Sequence, residues 1–302
     1  MKTKKLLALI LALALSACLL AGCSSDSGDA DTTPDNTVTQ NTDDQNEQED
    51  TNPAPAESVE LIVFAAASMD GYLQDICDAY TAENPNVTFT YNFDSSGTLK
   101  TQIEEGAPCD IFISAGQKQV DQLDIEADPS VNTDGLDFIQ SDSRFDLLEN
   151  KVALAVPEGN PANITSYDDL AAGLKDGTIT LAMGNSDVPV GQYTQKILAY
   201  YELAEEDLAA SGSVTYGSNV REVATFVDEA TVDCGVIYQT DATAYGLTVV
   251  DTATAEMCGQ VIYPAAALKE SANLDTALDF LEFLKGDTAG ALLEAGGFTP
   301  LG

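Results

Sequence analysis

Four short stretches carry the residues with chemistry to offer: Ala65-Ala66-Ala67-Ser68, Ser95-Ser96-Gly97-Thr98, Pro189-Val190-Gly191-Gln192-Tyr193 and Asn219-Val220-Arg221. Each places small or hydroxyl residues just after a predicted strand and just before a predicted helix. The first turn of a helix has unclaimed backbone N–H groups and the positive end of the helix dipole. Several such turns converging on one point hold an oxyanion without any cationic side chain. That chemistry is notable in a chain with formal net charge −38, from 12 Lys+Arg against 50 Asp+Glu and no His.

The elements that must position these turns follow from periodicity. Val59–Phe64 reads as a buried strand, and Met69, Tyr72, Leu73, Ile76, Cys77 and Tyr80 recur after it at helical spacing. Val87–Phe93 alternates as a second strand, Thr98–Glu105 suits a short helix ended by Gly106, and Asp110–Ser114 is a third strand. Further strands are expected at 151–156, 178–182, 214–216, 234–238 and 247–250, separated by helical patterns at 167–174, 193–201 and 220–227. This alternation predicts an α/β fold with mainly parallel sheets flanked by helices, whose ligand sites lie beyond the carboxyl ends of the strands. The last segment, 260–268 followed by helices at 274–284 and 288–295, is expected to return to the first sheet. Two lobes joined by two crossovers result, with 58–140 and 250–302 in lobe 1 and 141–249 in lobe 2.

The N-terminus is of a different kind. Lys2, Lys4 and Lys5 form a positive n-region, Leu6 to Leu20 a mostly apolar h-region, and Leu20-Ala21-Gly22-Cys23 follows. Small residues before a cysteine resemble the bacterial lipobox, which implies removal of residues 1–22 and a lipidated Cys23. The apolar run is short for a membrane span. From Ser24 to about Glu57 the chain is polar and acidic, so it has too little apolar surface to offset its ordering entropy. A disordered tether over 23–57 is expected, with an extracytoplasmic body held to the membrane by its lipid.

Charge and cysteine usage exclude other classes. Nucleic-acid phosphates need basic patches, which this composition lacks. Cys77, Cys109, Cys234 and Cys258 are too widely separated for the paired CxxC of a zinc site. Outside the cell they could form one or two disulfides, or stay as buried free thiols that pack like small hydrophobes. No His, no metal-ligand cluster and no nucleophile–base pair is evident, which argues for a binding protein rather than an enzyme.

Several longer motifs carry a family resemblance: Val63-Phe64-Ala65-Ala66-Ala67-Ser68, Phe93-Asp94-Ser95-Ser96-Gly97-Thr98-Leu99, the run from Gln102 to Ala115, and Gly235-Val236-Ile237-Tyr238. Together they resemble the extracytoplasmic molybdate-binding proteins of ABC importers, within the type II periplasmic-binding-protein fold, over about 59–299. The resemblance implies a two-lobed architecture with the ligand in the interlobe cleft. It implies an oxyanion held by the hydroxyls and N–H groups of Ser68 and Ser96, the backbone N–H groups of Val190 and Val220, and the phenol of Tyr238. Molybdenum would enter only as bound molybdate, with tungstate as a second ligand and no resident cofactor. The implied partners are the ABC permease subunits and the membrane, and the protein would act as a monomer.

Departures from the family pattern bear on specificity. Gly97 stands where another serine is common, Val190 where alanine is, and Asp94 brings a carboxylate near a dianion site; it is expected to point outward. Binding of another oxyanion such as sulfate therefore stays open. Arg221, one of two arginines in the chain, sits beside a proposed ligand. It could pair with the anion, or with a carboxylate such as Glu222 or one from the other lobe.

Overall fold

Val59–Ala66 forms β1, and its buried C-terminal half is flanked by two partners in parallel register, β2 (Val87–Asp94) and β3 (Ile111–Ile113). The computed structural model describes residues 57–302. The signal region, Cys23 and the tether lie outside the described residues. Between these strands run α1 (Tyr72–Glu83), which buries Leu73, Ile76, Cys77 and Tyr80, and α2 (Ser96–Glu104). After β3 come α3 (Gln117–Asp121) and β4 (Phe145–Asn150).

At Lys151 the chain crosses to a second sheet. That sheet contains β5 (Val152–Val156), β6 (Leu181–Gly184), β7 (Val214–Gly217), β8 (Cys234–Tyr238) and β9 (Thr248–Thr252), in the order β7-β6-β8-β5-β9. Its helices are α4 (Tyr167–Asp176), α5 (Pro189–Tyr200), α6 (Glu205–Ser211), α7 (Val220–Asp228) and α8 (Gln239–Tyr245). β5 and β8 are buried along their whole length, as expected for strands covered on both faces. α7 buries Val220, Val223, Ala224 and Val227, the one-sided stripe that pins it to this sheet. A second crossover, through α9 (Ala255–Cys258), leads back to β10 (Val261–Ala267), then α10 (Leu274–Leu284), α11 (Asp287–Ala295) and β11 (Thr299–Pro300). The first sheet thereby has the order β11-β4-β10-β3-β1-β2.

Two expectations are corrected. The sheets are mixed rather than mainly parallel: β1–β2, β1–β3, β6–β7 and β6–β8 are parallel, and the pairings made by β4, β5, β9, β10 and β11 are antiparallel. The antiparallel pairs arise because strands adjoining the crossovers enter each sheet from the other lobe instead of through a βαβ unit. The first sheet also extends past residue 140, since β4 pairs with β10, and the second past 249, since β9 runs to Thr252. Phe145–Asn150 reads poorly as a strand because its apolar residues do not alternate; β10 recruits it through a register shift at Tyr263/Pro264. Among the described residues all four cysteines are free, on or next to four different elements, so the disulfide alternative falls away. Burial pushes the Cys77 thiol up to about 12, which makes it inert.

Candidate functional site

The parallel trios β1, β2, β3 and β6, β7, β8 direct their carboxyl ends toward one another, and every predicted ligand lies on one of those ends. Ser68 is in a single 3₁₀ turn, Ala67–Met69, directly after β1. Ser96 opens α2 directly after β2. Val190 follows Pro189 in the first turn of α5, beyond β6, and Val220 opens α7 beyond β7. Tyr238 is the last residue of β8. All five line a single cavity of about 10 Å³ between the lobes, together with Asp94 and Ala115. A volume of that size is room for the centre of one small guest.

Local chemistry explains how each turn is freed for a ligand. Ser95, not Ser96, caps α2: its Oγ accepts the Thr98 N–H at 3.1 Å. Ser96 is thus released from capping, and its Oγ accepts the Ala115 N–H at 2.9 Å. With a lone pair filled, its hydroxyl proton is left to donate. Ser68 Oγ lies 2.9 Å from the Tyr263 phenol, itself a buried side chain of β10. Pro189 at the start of α5 has no N–H to satisfy, so Val190 carries the first free donor of that helix. Asn219 caps α7 through the Glu222 N–H, which leaves the Val220 N–H outside the helix's own bonding. Tyr238 Oη donates to the Ala115 carbonyl at 3.4 Å, a long bond that a stronger acceptor would displace. Burial, then the neighbouring Tyr263, hold the Tyr238 phenol well above its ordinary range, so it stays a neutral donor.

Backbone packing holds the turns in place. A side chain at Gly191 would collide with the carbonyls of Gly184 and Asn185, so only glycine lets α5 start against the end of β6. Gly97 has a matching role between the lobes: a Cβ there would enter the Asp187 main-chain carbonyl.

The structure settles the two charged neighbours. Arg221 does not line the cavity; it reaches across the cleft to the Asp70 carboxylate and donates to the Phe93 carbonyl at 3.0 Å. Its partner is the carboxylate of the other lobe rather than Glu222, whose Oε2 accepts from the Ser218 N–H and hydroxyl. One guanidinium thereby ties the α7 turn to the segments that follow Ser68 and precede Ser95. Asp94 is among the residues that border the cavity. Its Oδ1 is turned to the Ser95 N–H at 2.7 Å and to Asn219 Nδ2 at 3.4 Å, because these donors flank the end of β2.

Three residues with a part in the site were not evident from sequence: Tyr263, Asn150 and Ala115. Asn150 Nδ2 donates to the Tyr263 phenol at 3.2 Å and to Thr240 Oγ1 at 3.0 Å. A buried asparagine at a crossover is the only signal that could have drawn attention, and burial is not visible in a linear pattern. Larger hollows of about 450 and 500 Å³ lie elsewhere on the body. They are lined by side chains of both signs, such as Lys118 and Lys196 with Asp146 and Glu149.

Comparison with known proteins bears on the family and the fold. The family model described as bacterial extracellular solute-binding protein matches residues 61–299. YvgL of Bacillus subtilis (strain 168), provisionally named an ABC transporter substrate-binding lipoprotein, is 30% identical over 93% of this chain and 93% of its own. The molybdate-binding protein ModA of Haemophilus influenzae is 32% identical over 81% of this chain and 91% of its own. The periplasmic molybdate-binding protein of Azotobacter vinelandii superposes with a TM-score of 0.66 at 22% identity, covering 79% of this chain and 98% of that one, which speaks for the fold.

Proposed function

The chain belongs to the bacterial extracellular solute-binding proteins, and from that premise we propose that it captures molybdate, and tungstate with it, between its lobes for delivery to an ABC permease. The observation that carries this reading is the convergence of Ser68, Ser96, Val190, Val220 and Tyr238 on one small cavity. Two hydroxyls, a phenol and two helix N-termini are all donors, and no cationic side chain borders the cavity. Such a site suits a fully deprotonated tetrahedral dianion, whose oxygens only accept. A protonated phosphate presents an O–H that needs an acceptor, and leaving it unpaired in a buried site costs about 1–3 kcal/mol. Neutral donors also avoid the desolvation of a buried counter-charge.

The reading is of a binding protein and not an enzyme, which the family implies, and it includes no resident cofactor. The ABC permease as partner is supported by the names of the relatives. Lipidation at Cys23 is proposed on the lipobox resemblance and fits the name of the B. subtilis relative. A monomeric protein with 58–140 and 250–302 as one lobe and 141–249 as the other, adjusted at β4 and β9, completes the proposal.

Isothermal titration of the purified protein with molybdate, tungstate, sulfate and phosphate near pH 7 tests it. Molybdate and tungstate should bind with similar affinity, sulfate far more weakly, and phosphate least. Tight phosphate binding, or sulfate preferred over molybdate, would remove the assignment.

A further inference from the structure

Ser68 is wired to a buried chain of polar groups that begins where the polypeptide passes from one lobe to the other. The Lys151 N–H donates to Asn150 Oδ1 at 2.8 Å. A backbone N–H can only donate, so this contact fixes the amide with Nδ2 on the other side, toward Thr240 Oγ1 and the Tyr263 phenol. Both Nδ2 protons are then spent, one on each oxygen. Tyr263 Oη therefore accepts from Asn150, and its own proton has Ser68 Oγ, at 2.9 Å, as its remaining partner. The opposite polarity would leave a phenolic proton with no acceptor within hydrogen-bond distance among the described residues, in a side chain with no solvent exposure. Burial also holds the Tyr263 phenol well above its ordinary range, so the proton is not lost to titration.

We propose that Tyr263 and Asn150 are specificity-determining positioning residues: the relay from Lys151 N–H through Asn150 and Tyr263 fills the acceptor capacity of Ser68 Oγ facing away from the cavity and points its proton inward. This deepens the proposed function, on which it rests. A serine hydroxyl by itself is both donor and acceptor and would accommodate a protonated oxyanion as readily as a bare one. Ser96 receives the same treatment from the Ala115 N–H, a backbone donor whose direction no side-chain change reverses. Ser68 is the one whose polarity depends on side chains. Monohydrogen phosphate carries a single proton and so needs a single acceptor. Loss of the relay at Ser68 supplies that acceptor.

The test compares molybdate and phosphate affinities by titration calorimetry at pH 7 in the wild-type protein, Tyr263→Phe, Asn150→Ala, Ser68→Ala and the Ser68→Ala/Tyr263→Phe double variant. Thermal melts verify that each is folded, and Asn150→Ala carries the test if Tyr263→Phe is not. The ratio of molybdate to phosphate affinity should fall at least tenfold in Tyr263→Phe and Asn150→Ala. In the Ser68→Ala background Tyr263→Phe should change that ratio no further. A wild-type protein that prefers molybdate while both relay variants keep the wild-type ratio overturns the relay and leaves the function standing. A wild-type protein that does not bind molybdate overturns the function itself. Equal weakening of both anions in the relay variants is the signature of a merely structural role and also overturns the relay.

Discussion

At the scale of single residues, the cavity works by what each polar atom has already committed. Ser96 Oγ accepts the Ala115 N–H, so Ser96→Ala removes a donor to the ligand and also leaves that buried N–H without its acceptor. Ser68→Ala and Ser96→Ala should each weaken molybdate binding by about 1–3 kcal/mol, the range for a charged group losing one buried hydrogen bond. Arg221→Gln should cost less, about 1 kcal/mol or under, because its ion pair with Asp70 is about one-third exposed on both sides and screened by solvent. A larger loss at Arg221, measured by calorimetry, would return the charge-pair reading.

Asp241 makes a separate residue-level case. Its Oδ2 has no hydrogen-bond partner among the described residues, and burial pushes its carboxyl up to about 7 against offsets from its own backbone N–H and from Arg221. A carboxyl raised in the folded state keeps a proton that the unfolded chain releases. Stability from this group is complete below about pH 4, declines as pH rises toward 7, and then levels off. Asp241→Asn should therefore stabilise the protein more at pH 8 than at pH 5, by roughly 2–3 kcal/mol in urea titrations. An equal effect at both values would show that the aspartate is ionised or solvated in the folded protein.

Elements decide whether the donors meet. α2, α5 and α7 each begin at the cleft, so their first turns face it. α2 approaches the loop before α5 so closely that Gly97 has no room for a Cβ beside the Asp187 carbonyl. Gly97→Ala must push main chain rather than a flexible side chain, at a cost of about 1–3 kcal/mol. Because that contact lies between the lobes, the cost falls on closure: molybdate should bind at least several-fold more weakly. Small-angle scattering of the molybdate-loaded variant should show a more open particle than the wild type. Unchanged scattering and affinity would mean that the loop yields freely.

For the whole molecule, a protein of formal net charge −38 takes up a dianion. Its donors act at contact range, whereas the net charge repels the ligand over about a Debye length, ~10 Å at 0.1 M salt. Association of molybdate should accelerate as salt rises from 0.01 to 0.15 M, with little change in dissociation from the closed site; stopped-flow measurement of both rates checks this. Slower association in salt would reveal an attractive local field at the cleft. Attachment to the membrane is a second property of the entire chain. Cys23→Ser should move the protein from the membrane fraction to the soluble one, as followed by fractionation and lipid labelling.

How far the linear pattern reaches can be read from particular residues. Strand–helix alternation located β1, β2, β5 and β8, the hydroxyl-bearing turns marked Ser68 and Ser96, and the family resemblance added Val190, Val220 and Tyr238; the fold brings all five to one cavity. These were legible because strand burial, helix periodicity and N-terminal turns are local properties, set by neighbours in sequence. β4 was not, because its pairing is made by β10 more than a hundred residues away and its own side chains do not alternate. Tyr263 and Asn150 were silent for the same reason, since a polar atom's partner is fixed by which strands are adjacent in space. The sequence alone determined which turns could hold an anion. Only the tertiary structure decided which way the Ser68 proton points, which carboxylate Arg221 takes and why position 97 is glycine, because each depends on contacts between segments far apart in sequence that only the folded chain brings together.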